Sequence, residues 1–127
     1  MADLTFNKKA GALSGFHKTW KARSGIQGKY EPLTSKSYKV PKGALMTGTQ
    51  RVEGVGFHKK YARSSYKDKK GFGWFLWLGT GNLGIHPDGN VPGTKGCIGV
   101  VADDTRDLFD KLKLKNSTGL TVEVVDS

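Results

Sequence analysis

The stretch IHPDGNVPGTKGCIGV, residues 85–100, contains the single cysteine of the chain, Cys97, eleven positions after His86. Nucleophilic catalysis by cysteine requires a thiolate, a base that takes the thiol proton, and hydrogen-bond donors for the oxyanion. The segment GTKG directly precedes Cys97, so we expect a tight turn whose backbone N–H groups can point toward a bound carbonyl. The stretch therefore offers all three requirements.

The surroundings of Cys97 predict how the thiol is activated. We expect a loop to carry the His86 ring to the sulfur, and Lys95 to place a positive charge near the thiolate. The segment after Cys97 soon becomes helical, and a helix N-terminus would lower the pKa of the thiol. Free cysteines are nevertheless among the most buried residue types. The two residues alone leave open a catalytic pair and a structural buried thiol.

The rest of the chain predicts a mainly β fold, a β-rich α+β class with one helix in the C-terminal half. The 18 glycines indicate many turns between short strands. Residues 4–16 predict a hairpin. The run GWFLWLG, residues 73–79, predicts an interior strand buried on both faces, and residues 119–127 predict an alternating strand. Acidic residues followed by apolar helical spacing predict a helix within residues 102–115.

The charge of the chain is unevenly distributed. The net charge is +10, and residues 1–70 contain 16 basic and 4 acidic residues, whereas residues 71–127 contain 5 and 7. The run at residues 58–70 predicts a basic, exposed loop. A basic half indicates either a surface for a polyanion, such as nucleic acid, a membrane or a cell-wall polymer, or a solvated face. A non-catalytic module that binds nucleic acid is therefore the alternative to an enzyme.

Composition also limits the class of protein. A single cysteine excludes an intramolecular disulfide, and the Cys/His spacing predicts no metal site; no cofactor is expected. The first residues lack an apolar run of signal-peptide length, and the apolar run at residues 71–79 is too short to cross a bilayer. We therefore expect a single domain over residues 1–127, monomeric, made in the cytoplasm and not inserted in a membrane.

GIHPDGNVPGTKGCIGV, residues 84–100, resembles the catalytic motif of the YkuD-like L,D-transpeptidases, in which a histidine at a strand end precedes a Ser/Thr-x-Gly-Cys turn and an aliphatic residue. It is most similar to the compact subfamily that includes peptidoglycan-targeting type VI secretion effectors. WKARSGIQGKYEPL (residues 20–33) and YKVPKGAL (residues 38–45) resemble that subfamily's A-x-SG segment and P-x-G turn. The resemblance covers roughly residues 4–125 and implies an L,D-transpeptidase-like β-sandwich or sheet with a glycine-rich catalytic turn.

The resemblance implies that Cys97 is the nucleophile and His86 the general base. It also implies that the backbone of Gly96 and Cys97 donates to the oxyanion, and Thr94 stands at the family's Ser/Thr position. In the family, the thiolate attacks the carbonyl of the third residue of a peptidoglycan stem peptide and releases the terminal D-alanine. The acyl-enzyme then reacts with a second stem (3-3 crosslinking), a free D-amino acid (exchange) or water (L,D-carboxypeptidase action).

Three positions depart from the family's motif. Lys95 replaces a histidine, Pro87 replaces a glycine, and Gly99 replaces an arginine that often follows the aliphatic residue. Because that arginine is missing, the group that binds the substrate carboxylate is open, and Lys95, Arg51 and Arg106 are the candidates.

Two further residues are candidates for substrate contacts. Asp88 could orient His86, could pair with the side-chain amine of the substrate, or could simply begin a turn. Trp20 is flanked by lysines, so we expect it either to contact a glycan or to pack under the basic loop.

The subfamily resemblance implies an antibacterial effector that reaches the periplasm or cell wall of a target cell by a non-Sec route. A phage-encoded cell-wall hydrolase is the alternative. The expected partners are peptidoglycan stem peptides and a cognate immunity protein that blocks the Cys97 cleft, with nucleic acid not expected.

Overall fold

The computed structural model describes residues 2–25, 34–47, 50–51, 68–80, 83–88, 97–116 and 119–126. These residues form ten strands in one sheet, of order β4-β10-β1-β2-β3-β9-β8-β7-β5-β6, and one helix. In chain order they are β1 (Leu4–Asn7), β2 (Ala12–Gly15), β3 (Lys18–Ser24), β4 (Ser37–Val40), β5 (Leu45–Thr47), β6 (Gln50–Arg51), β7 (Trp74–Trp77), β8 (Gly84–Pro87), β9 (Ile98–Val100), α1 (Arg106–Asn116) and β10 (Leu120–Val125). The mainly β class with one helix is confirmed.

The first three strands form an antiparallel meander. In the β1–β2 hairpin Phe6 pairs with Leu13, and Gly11 in the connecting turn has a φ of 66°. Between β2 and β3, Phe16 and His17 have φ values of 53° and 64°. Two successive residues with positive φ are typical of the short turns whose twist matches that of antiparallel strands. The predicted opening hairpin is confirmed.

Strand β10 joins the N-terminal and C-terminal parts of the chain. It pairs in parallel with β1 and antiparallel with β4. Buried residues recur at every second position of β10, as expected for a strand that has one face on the core. The alternating C-terminal strand predicted from the sequence is therefore confirmed.

One hydrophobic core contains side chains from both parts of the sheet, strands β1–β4 and β10 on one side and strands β5 and β7–β9 on the other, and from α1. The sheet therefore curls around a shared interior. Its fully buried large side chains from β1, β2, β5, β7, β8, β9 and α1 include Leu4, Phe6, Leu13, Leu45, Trp74, Leu76, Ile85, Ile98, Leu108 and Leu112.

A buried carboxylate fixes the start of α1 against β7. Asp68 accepts hydrogen bonds from the backbone N–H and the hydroxyl of Thr105, each at 2.8 Å, and Trp74 Nε1 donates to Thr105 Oγ1 at 2.9 Å. Burial by itself raises the pKa of Asp68. The two hydrogen bonds from Thr105 and those from the N–H groups of Phe72 and Lys70 outweigh it, so the pKa of Asp68 is lowered overall. The helix is thereby held over the central strands.

The interior strand predicted at residues 73–79 is confirmed as β7, which lies between β8 and β5, and the predicted helix is α1. Strands β8 and β9 were not predicted, and His86 lies within β8 rather than on a loop. Residues 58–67 of the predicted basic loop lie outside the described residues. In the described part of the chain, no helix is long and apolar enough to cross a membrane.

Candidate active site

Cys97 and His86 lie on neighbouring parallel segments of the sheet. In the register of β8 and β9, His86 is opposite Gly99, and Cys97 lies two residues before Gly99. Paired residues project to the same face of a sheet, so Gly99 and His86 share one face. The Cys97 thiol lies close to them, because it bonds to the backbone of Gly84, two residues before His86 on β8. The sheet therefore places the thiol and the imidazole over the same patch.

The His86 ring is held in a defined tautomer. Its Nδ1 lies 2.7 Å from the carbonyl oxygen of Pro87, and because a carbonyl can only accept, Nδ1 carries the proton. Nε2 then carries the lone pair, which is the form that a general base needs. The ring is 4% exposed and stacks on Phe75 with the ring centroids 6.1 Å apart and the planes 13° apart.

Burial favours the uncharged form of both reactive groups. Burial lowers the pKa of His86, and the Pro87 carbonyl and the charge of Asp88 oppose that shift. Burial also raises the pKa of the Cys97 thiol, and a backbone hydrogen bond from Gly84 opposes it. The resting site is therefore a neutral thiol beside a neutral imidazole, rather than a thiolate–imidazolium pair.

The prediction that a helix begins soon after Cys97 was wrong. Cys97 leads directly into strand β9, and α1 begins only at Arg106. The segment directly after Cys97 is therefore a strand and not a helix, and burial raises the pKa of the thiol instead of lowering it. The residues after Cys97 form strand β9, which pairs with β3 on one side and with β8 on the other.

Phe75 packs across Gly84, the residue whose backbone bonds the thiol. A Cβ added at Gly84 would lie 2.3 Å from Cζ of Phe75 and 2.7 Å from the carbonyl oxygen of Leu76. Only glycine therefore lets the Phe75 ring lie flat beside His86. This aromatic ring is fully buried and gives the imidazole an apolar wall, which explains the burial that lowers the pKa of His86.

Gly99 has a similar role on the other side of His86. A Cβ at Gly99 would lie 2.7 Å from Cβ and 2.8 Å from Oδ2 of Asp88. The Asp88 carboxylate occupies that space and accepts a 2.9 Å hydrogen bond from Nε of Arg23. Asp88 is thus a buried residue in an ion pair.

Comparisons with known proteins bear on the fold. No family model matches the sequence, and no curated protein matches it. The structure is similar to the crystal structure of Mycobacterium tuberculosis L,D-transpeptidase 1, with a TM-score of 0.54 and 18% sequence identity. The similarity covers 96% of this chain and 57% of that chain, so this chain spans little more than half of that protein. The chain has an L,D-transpeptidase-like fold.

Of the remaining predicted site residues that the structure describes, Trp20 and Arg106 have side chains packed elsewhere, and Arg51 lies on a distant strand. Trp20 is 5% exposed, and its Nε1 donates to Asp107 of α1 at 3.2 Å, so the indole packs inside rather than facing a glycan. Arg51 lies in β6 at the sheet edge, four strands from β9. The Arg106 guanidinium lies 3.9 Å from the centre of the Phe72 ring, at the start of α1. Thr94, Lys95 and Gly96 lie outside the described residues.

Two residues near the pair were missed from the sequence, Arg23 and Phe75. Arg23 reaches the site because β3 pairs with β9, which places Arg23 opposite Gly99. That pairing joins positions more than seventy residues apart, and no local pattern reveals it. Among the described residues, no three His, Cys, Asp or Glu side chains are grouped to hold a metal ion.

Proposed function

We propose that this protein is a cysteine-dependent enzyme that modifies peptidoglycan stem peptides through an acyl-enzyme on Cys97. The observation that supports the proposal is that Cys97 directly precedes β9, whose register with β8 pairs Gly99 with His86, and that the Cys97 thiol bonds to the backbone of Gly84, two residues before His86, within an L,D-transpeptidase-like fold. The Nδ1 contact to Pro87 supports it, because that contact leaves Nε2 as the basic nitrogen. A structural thiol needs no such oriented base.

The neutral resting pair determines how acylation begins. As the sulfur approaches the carbonyl carbon of the third stem residue, His86 Nε2 takes the thiol proton and the S–C bond forms. The tetrahedral intermediate then breaks its C–N bond, and the imidazolium returns the proton to the amine of the leaving D-alanine. Activation occurs during attack, because burial disfavours a free thiolate at rest.

The second step regenerates the thiol. His86 takes a proton from an amine or a water molecule, which attacks the thioester carbonyl; the S–C bond then breaks, and the imidazolium returns the proton to the sulfur. An amine acceptor gives transpeptidation or D-amino-acid exchange, and water gives L,D-carboxypeptidase action. The same two side chains therefore support a transferase and a hydrolase, and the acceptor selects between them.

The products of tetrapeptide-bearing peptidoglycan test this function. Wild type should give new tripeptide, 3-3 crosslinked or exchanged muropeptides by mass spectrometry, whereas Cys97→Ala should give none. Cys97→Ser keeps the size of the side chain and should be nearly inactive, since a hydroxyl is a far weaker nucleophile beside a neutral imidazole. Equal products from wild type and Cys97→Ala, or no product from either, would contradict the proposal.

We also propose an antibacterial effector role, which the resemblance of residues 84–100 to the compact effector subfamily supports. The enzyme would then harm a cell only where stem peptides are exposed to it. Expression with an added export signal should stop growth of a Gram-negative host, and the same protein retained in the cytoplasm should not. Exported Cys97→Ala is the control, and toxicity that persists in this variant would refute an effector role based on catalysis.

A further inference from the structure

Three residues form one row across three strands beside Cys97. Arg23 of β3 is opposite Gly99 of β9, and Gly99 is opposite His86 of β8. Paired residues project to the same face of a sheet, so Arg23 and His86 flank Gly99 on one face, and Cys97 lies two residues before Gly99 with its thiol bonded to the backbone of Gly84 on β8. At about 4.8 Å per strand, the Cα atoms of Arg23 and His86 are about 10 Å apart. Gly99 leaves the space between them without a side chain of its own.

Asp88 holds the Arg23 side chain in this row. Its carboxylate fills the volume above Gly99, where a Cβ would be only 2.7 Å from Cβ of Asp88, and it accepts from Nε of Arg23 at 2.9 Å. The Asp88 side chain is 2% exposed, so the anchor is fixed inside the protein. A guanidinium held through Nε is oriented but has not used the donors of its terminal amino groups in that bond.

The other end of Arg23 reaches solvent. Its side chain is 41% exposed, although the neighbouring His86 and Cys97 are buried. A buried carboxylate therefore anchors an accessible guanidinium next to the reactive pair. Terminal guanidinium N–H groups form a planar fork that suits a carboxylate, and such charge-assisted bonds are about twice as strong as neutral ones.

We propose that Arg23 binds the free carboxylate of the terminal residue of the stem peptide, the residue that leaves on acylation, and that Asp88 is the positioning residue for Arg23. This inference rests on the proposed function. The carboxylate of the leaving residue is separated from the attacked carbonyl by only the amide nitrogen and one carbon. A cation opposite Gly99, two residues along the chain from Cys97, is therefore placed to recognise it. In this proposal Arg23, opposite Gly99, takes the role that the resemblance of residues 84–100 implies for an arginine at position 99.

The test compares two peptides that differ only in this carboxylate, a tetrapeptide stem with a free C-terminal acid and the same stem with a C-terminal amide. Binding to Cys97→Ala is measured by calorimetry, which does not require turnover. We expect the acid to bind about 10- to 100-fold more tightly than the amide, the range for a charge-assisted hydrogen bond. Adding Arg23→Gln to Cys97→Ala should remove this preference. The affinity for the acid peptide should fall, and the affinity for the amide peptide should stay within about twofold.

The matched control is Lys21→Gln, which removes the same charge from the exposed side chain two residues earlier on β3. It should keep the preference for the acid. Arg23→Lys, which keeps the charge but lacks the planar fork, should keep part of it. Thermal unfolding of each variant shows that the fold is retained, and because the amide peptide binds the folded site, its unchanged affinity excludes a general structural loss.

The outcomes separate the two proposals. If Cys97→Ala binds the acid and the amide peptides equally, or if Arg23→Gln lowers the affinity for both peptides equally, the role of Arg23 is overturned. This holds even where turnover by the wild type depends on Cys97. A preference for the acid that Arg23→Gln abolishes supports the role of Arg23. Absence of Cys97-dependent products with that preference intact overturns the proposed reaction instead.

Discussion

The two parts of the sheet differ in how their side chains are buried. Strands β4 and β10 alternate between covered and more exposed residues, so this part has a core face and a solvent face. Every residue of β8 and β9 is buried, and β7 is buried except at Trp77. The reactive pair lies in the part that is covered on both sides.

This difference shows where the molecule buries polar groups. A buried polar side chain is unfavourable unless it is hydrogen-bonded or paired. His86 and Asp88 are 4% and 3% exposed, and each has an identified partner, the Pro87 carbonyl and Arg23 respectively. Their outer-face counterparts on β4 and β10 stay in water and need no such partners. The covered strands thus hold polar groups in fixed orientations, as a catalytic site requires.

The largest expected effect is on activity at His86. His86→Asn removes the base from the covered strands and should lower kcat about 10²- to 10⁴-fold, the usual contribution of a general base. The matched control is His17→Asn, because His17 is exposed in the β2–β3 turn, where asparagine also tolerates a positive φ. Product formation from tetrapeptide stems measures both. If both variants lost kcat equally, the claim that a histidine in the covered strands has a special role would be contradicted.

The next effect is on stability at Gly84. Gly84→Ala forces the new Cβ into the Phe75 ring and the Leu76 carbonyl, and overpacking of this kind costs about 1–3 kcal/mol of unfolding free energy. Ser37→Ala on the solvent face of β4 is the comparison, with an expected change within about 0.5 kcal/mol. Urea unfolding measures both. If Gly84→Ala were as mild as Ser37→Ala, the tight packing of Phe75 over Gly84 would be wrong.

The smallest effect is a shift in pH dependence at Asp88. The charge of Asp88 raises the pKa of His86, so Asp88→Asn should lower this pKa further. In the proposed mechanism only neutral His86 acts as the base, so the rise of kcat/KM with pH should move to lower pH. Asp103→Asn, at a side chain 70% exposed, should leave the profile unchanged. A shift to higher pH in Asp88→Asn would contradict the charge interaction with His86.

The same contrast explains what the sequence could predict. Alternation along residues 119–127 and turn residues around Gly11 identified β10 and the first hairpin, since one face of each strand meets water. In β8 and β9 both faces are covered, so no alternation marks them, and their short sequences GIHP and IGV lack the run of bulky residues that identified β7; His86 was therefore expected on a loop. The thiol pKa was predicted in the wrong direction for the same reason, because the strand after Cys97 was not recognised.

The sequence alone singles out Cys97 and His86 as candidates, which stays a prediction, whereas the residues that surround them could not be predicted. Cys97 and His86 stand out as chemistry-bearing residues in a glycine-rich stretch, and the motif resemblance links them. Arg23 and Phe75 join them only through the order of strands β3-β9-β8-β7, which depends on pairings between distant segments. Trp20 was a candidate for glycan contact because of its lysine neighbours, but its position on β3 directs it to the core.

The central claim is that Cys97 forms an acyl-enzyme with a stem peptide. Intact-protein mass spectrometry, on samples quenched in acid soon after mixing with excess soluble tetrapeptide, tests it directly. The wild type should gain the mass of the tetrapeptide minus the mass of one free D-alanine molecule, which carries away the sulfur proton, with the adduct mapped to Cys97. His86→Asn should gain it far more slowly. A wild-type protein that turns over substrate with no adduct on Cys97, or with an adduct at another residue, would contradict the account.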